Sequence, residues 1–87
     1  MSDKASIPLN EEIRKLVYDD LAEAHIQAIE NGQITKPQRV EISKSVLAGV
    51  GAARTYGELV GFLAGLGGQW PVYRAVYEKY QRALLRD

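Results

Sequence analysis

The sequence predicts an all-α fold, a compact bundle of four short helices forming a single helical domain over residues 1–87, with steeply crossing axes. Three observations lead there. Apolar residues recur at spacings of three and four, one face of a helix, and the β-branched residues keep that spacing instead of alternating as a strand would. Helix-start signals precede each periodic segment. Glycine-rich or Trp-Pro breaks separate the segments, near Asn31 and Gly32, within residues 49–54, and within residues 67–69. The axes are expected to cross steeply because the third helix is too short to lie along the first.

Residues 1–7 are polar and read as a flexible tail. Asn10 is a favoured cap for the first helix, and Glu11 and Glu12 suit the positive end of its dipole. Leu9, Ile13, Leu16, Val17, Leu21, Ala24 and Ala28 then mark one face, which Ala22, Ile26 and Ile29 widen in the second half. Asn31 and Gly32 close this helix.

Thr35, Pro37 and Gln38 form a capping-box pattern for a second helix over residues 36–50. Its expected buried face is Val40, Ile42, Val46, Leu47 and Val50, with Gly49 and Gly51 weakening its end by about 1 kcal/mol each. Thr55 and Glu58 repeat the capping pattern. The third helix carries Tyr56, Leu59, Val60, Phe62, Leu63 and Leu66 on one side, and Gly67 with Gly68 is expected to end it. Trp70 and Pro71 restart the chain, and a last helix reaching Leu85 bears Val72, Tyr73, Val76, Tyr77, Tyr80, Ala83 and Leu84 on a broad face.

Composition narrows the function classes. With 46% hydrophobic and 25% charged residues, the chain reads as globular rather than disordered. Eleven basic residues balance eleven acidic ones, which weighs against phosphate-driven nucleic-acid binding. No cysteine is present, so disulfides, thiolate catalysis and cysteine-ligated zinc are excluded. The first ten residues lack the apolar stretch of a signal peptide, and Arg54 and Glu58 interrupt the best apolar window short of a membrane span. The expectation is a cytoplasmic protein with no membrane span, and the short length suggests a bacterial or phage source.

The sharpest anomaly is a glycine row, Gly57, Gly61 and Gly65, on the side of the third helix opposite its apolar face. Three glycines cost that helix roughly 2 to 3 kcal/mol relative to alanines. A bare backbone of this kind seats a neighbouring helix of the same bundle, a partner peptide or a second copy of the chain, and the sequence leaves those readings open. Trp70, Tyr73, Tyr77 and Tyr80 form an aromatic stripe that reads either as core and boundary packing or as a binding surface. The candidate partner-binding set is therefore Gly57, Gly61, Gly65, Trp70, Tyr73 and Tyr77.

Catalytic signals are weak. His25 is the sole histidine and reads as a packed residue without a nucleophilic companion. Ser43 and Ser45 flank Lys44 but point away from it on a helix, and Asp19, Asp20 and Glu23 read as a solvated acidic turn rather than a metal site. The run GVGAAR lacks the full phosphate-binding glycine pattern and the strand that should precede it. No catalytic residue, metal ligand or cofactor is predicted, and no small-molecule substrate is evident, although a cavity near Phe62 and the tyrosines would admit an apolar ligand. The expected function is a non-enzymatic protein-interaction or regulatory domain that binds a protein partner, or itself, through the glycine face and nearby aromatics. The alternative is a nucleic-acid-associated regulator with a degenerate helix-turn-helix, in which Lys36, Arg39, Lys44 and Arg54 are the available cations.

Overall fold

The computed structural model describes residues 4–86. It is an all-α bundle of α1 (Glu11–Glu30), α2 (Lys36–Ala52), α3 (Tyr56–Gln69) and α4 (Arg74–Tyr80). A 3₁₀ turn at Pro71–Tyr73 leads into α4 and a π-helical turn at Gln81–Leu85 extends it. Another 3₁₀ turn, Lys4–Ser6, precedes α1. Among the described residues there is no strand, only an antiparallel bridge between Pro8 and Thr55.

The helix starts follow local chemistry. Asn10 Oδ1 accepts from the Ile13 amide at 2.9 Å. At Thr35 the capping box is reciprocal, with Oγ1 accepting from the Gln38 amide and Gln38 Oε1 accepting from the Thr35 amide. The Thr55 cap differs by one residue. Its Oγ1 accepts from the Glu58 amide at 3.2 Å, but Glu58 Oε2 reaches back to the amide of Arg54 at 3.1 Å. That register goes with the bridge, in which the Leu9 amide donates to Arg54 O and the Tyr56 amide donates to Ile7 O.

α2 passes through Gly49 and Gly51 and stops after Ala52, inside the break expected within residues 49–54. The end expected for α3 lies elsewhere. α3 passes through Gly67 and Gly68 to Gln69, so these glycines do not terminate it. The stop is Trp70, which is extended (φ −128°, ψ 96°) because the ring of Pro71 disfavours a helical residue before it. Gly67 has another role. A Cβ there would stand 3.1 Å from the Arg74 Cα, so its bareness admits the chain that turns into α4.

Residues 4–7 are docked rather than a loose tail; residues 1–3 lie outside the described residues. Ala5 covers the start of α3 at Gly57, Ile7 holds Tyr56, and Lys4 Nζ donates to Arg86 O at 2.8 Å.

The helices pack in a ring, α1 on α2, α2 on α3, α3 on the 71–85 segment, and that segment back on α1. The diagonal pairs α1–α3 and α2–α4 make no close backbone approach, and the space between them holds the core. Val17, Leu21, Val50, Leu59, Leu63 and Tyr73 are its largest fully buried side chains. The apolar faces read from sequence are trimmed at their edges. Leu16, Ile26, Val40 and Leu47 are exposed, because each lies beyond the arc of its helix that a neighbour covers.

One polar group ties α1 to the α2–α3 corner. The Arg14 guanidinium Nη1 donates to the carbonyls of Val50, Gly51 and Ala53, the last at 3.1 Å. Those are orphan carbonyls at the negative end of α2, and a half-buried cation satisfies them. We expect Arg14→Met to lower the unfolding free energy by about 2 kcal/mol in urea denaturation, the usual loss for hydrogen bonds to a charged group. A change within about 0.5 kcal/mol, the range of ordinary surface substitutions, would show that the corner holds without it.

Candidate functional site

Four consecutive residues of α3 make one helical turn and slightly more, so a row at spacing four winds about 40° per step. Gly57, Gly61 and Gly65 therefore do not share one environment. Gly57 lies under the N-terminal turn, where a Cβ would be 2.8 Å from the Ala5 Cβ and 3.0 Å from its carbonyl oxygen. Gly61 and Gly65 are exposed, and a Cβ at either would meet nothing within 4 Å. The row begins as internal packing and ends on open surface.

There it forms one wall of a solvent-open groove of about 420 Å³ between α2 and α3. Phe62, Leu66 and Trp70 supply apolar lining, and Glu41, Ser45 and Gln69 supply polar groups. The Phe62 ring is fixed from the α2 side. It occupies the notch left by Gly49, where any Cβ would overlap the ring. Gly49, which weakens α2 by propensity, thus seats the aromatic residue that shapes the groove.

The remaining candidates separate. Trp70 is half-buried at the end of the groove beside Gln69. Tyr73 is fully buried, so it presents no surface to a partner, and Tyr77 lines a different depression with Ala64, Gly67, Gly68 and Arg74. Of the candidate set read from sequence, the groove brings together Gly61, Gly65 and Trp70. Phe62, read from periodicity as part of the apolar side of α3, and Gln69, read as part of the break after it, line the groove as well, together with the polar Glu41 and Ser45 of α2. Beyond that periodicity, the sequence marks Phe62 only as a place where a cavity would admit an apolar ligand; that Gly49 makes room for its ring became visible once the two helices were in contact.

Tyr73 instead pairs with His25. Its hydroxyl and the His25 Nδ1 are hydrogen-bonded at 2.5 Å, with the rings edge to face at a centroid distance of 5.2 Å. Burial, helped by the nearby Arg39 charge, holds the His25 pKa below its ordinary 6.5, and burial pushes the Tyr73 hydroxyl up to about 12. Both groups are neutral at pH 7. A second tie joins α1 to α4 itself. Asp20 Oδ2 accepts from Tyr80 Oη at 2.5 Å and from Lys79 Nζ at 2.8 Å. Burial works to raise the Asp20 pKa, but those hydrogen bonds and the Lys79 charge outweigh it and hold the carboxyl below 3.8.

No helix among the described residues is long and apolar enough to cross a membrane. Comparisons of the chain with known protein families, curated proteins and solved structures find no match.

Two outcomes follow from these environments. A histidine with a lowered folded pKa stabilises the fold fully above its unfolded value of 6.5 and loses that contribution as pH falls toward the folded value. Unfolding free energy should therefore decline as pH falls through the ordinary histidine range, below about 6.5, and His25→Gln should flatten this slope; Asp20 acts only at lower pH. An unchanged slope in the variant would refute the assignment. Among the glycines, Gly65→Ala should stabilise by about 1 kcal/mol, raising Tm by roughly 4 to 8 °C, whereas Gly67→Ala should lower Tm because its Cβ crowds backbone. Calorimetry on the two variants reads both signs.

Proposed function

We propose that this chain is a small non-enzymatic protein-interaction or regulatory domain whose α2–α3 groove takes an apolar segment of a protein partner. One observation carries the reading. Gly61 and Gly65 each weaken α3 by about 1 kcal/mol relative to alanine, and nothing within the bundle occupies the space their missing side chains leave. Gly57, by contrast, is accounted for by Ala5. Bare helix backbone lets a second element approach closely, and the flanking Phe62 and Trp70 offer the large rigid surfaces that dominate binding energies. Glu41, Ser45 and Gln69 provide the polar rim that fixes orientation.

The test fills the groove without touching the core. Gly61→Leu has room for its side chain and should fold with an equal or higher Tm. Peptides selected from a display library against the wild-type protein should bind Gly61→Leu at least tenfold more weakly by fluorescence anisotropy, a loss of about 1.4 kcal/mol or more. Peptides that bind both proteins equally would place recognition elsewhere.

A further inference from the structure

The opposite edge of α2 carries a second surface. Val40 and Leu47 are 55% and 64% exposed there, and Ile26 on α1 is 53% exposed. Two shallow depressions join Val40 and Leu47 to the flank of α1 at Tyr18 and Ala22, and Ile26 follows Ala22 one turn further along α1. One, of about 180 Å³, runs between α1 and α2 and is bordered by Tyr18, Ala22 and Leu47; the other, of about 300 Å³, holds Val40 among Lys36, Arg39 and Lys44. Ser43 and Leu47 line both.

Charge divides across the face, with the exposed Lys15 the exception on α1. On α1, Asp19, Glu23 and Glu30 surround Ile26 at helical spacing, and all three are exposed. On α2, Lys36, Arg39 and Lys44 surround Val40 and Leu47, and all three are exposed. None of these six residues forms an ion pair among the described residues, where the surface pairs are Glu11–Arg14, Arg74–Glu78 and Asp20–Lys79. An apolar strip with an acidic rim on one helix and a basic rim on the other is complementary to itself after a two-fold rotation. The chain's zero net charge removes long-range repulsion between copies.

We propose that the outer face of the α1–α2 hairpin joins two copies of this chain in an isologous pair, with the basic α2 of each protomer set against the acidic α1 of the other. Ile26, Val40 and Leu47 form the buried centre. The pair uses none of the groove residues, so it stands or fails separately from the groove reading, and it leaves both grooves free on one particle.

Charge exchange tests it. Sedimentation equilibrium of the wild-type chain should show concentration-dependent growth toward twice the 9.6 kDa monomer, weakening as salt is raised. Lys36→Glu/Lys44→Glu places acid against acid, and Glu23→Lys/Glu30→Lys places base against base. Each should weaken self-association at least tenfold while circular dichroism reports an intact fold. An equimolar mixture of the two variants restores both opposite-charge contacts and should form a heterodimer. The proposal is overturned if the wild-type chain stays monomeric to about millimolar concentration, if either folded variant associates as the wild type does, or if the mixture does not pair. A monomer that instead binds duplex DNA with steep salt dependence would also overturn it and assign the α2 cations to phosphates.

Discussion

The contact on which the bundle most depends is the Arg14 guanidinium at the end of α2. A helix leaves its last carbonyls without partners and accumulates negative charge there. Here that end lies at the corner where α2 turns into α3, held by a side chain from the first turns of α1. One residue therefore fixes three elements at once. The antiparallel bridge at Pro8 and Thr55 secures the same corner from outside, and the Glu58 side chain returns to the amide of Arg54, one residue before the cap. With that corner fixed, the 71–85 segment closes the ring against α1 through Tyr73 on His25 and through Lys79 and Tyr80 on Asp20.

Glycine works in four ways in this chain, and the differences organise its surface. Gly32 takes a left-handed conformation that ends α1 (φ +70°). Gly49 gives room to the Phe62 ring, and Gly67 gives room to the backbone entering α4. Gly57 lies beneath the N-terminal turn, whereas Gly61 and Gly65 face open space. A loss of helix propensity that packing explains at one position and leaves unexplained two turns later marks where the bundle's own requirements stop. The α2–α3 groove begins at that boundary.

α2 is consequently a helix with two working edges. One edge borders the glycine-walled groove, and the other carries Val40 and Leu47 among unpaired cations. Its buried stripe of Ile42, Val46 and Val50 is narrow enough to leave both edges uncovered. Two copies joined along the outer edge would present two grooves together, raising the effective concentration of one site once the other is filled.

Local sequence determined the helices and their starts, because caps and apolar spacing act over four or five residues. Asn10, Thr35 and Thr55 each cap the helix expected of them. It also identified the glycine row as a cost in need of a reason. Tertiary packing decided the rest. Leu16, Ile26, Val40 and Leu47 belong to the right periodic stripes yet lie outside the arc that neighbours cover, and periodicity cannot measure how wide that arc is. Gly67 and Gly68 look like a stop, yet the helix continues through them because Trp70 before Pro71 imposes the stop and Arg74 needs the space at Gly67. The winding of a row at spacing four is helix geometry, but which glycines fall beneath another segment depends on where residues 4–7 and α2 come to rest. Those placements arise from contacts between residues far apart in the chain, and no local pattern encodes them.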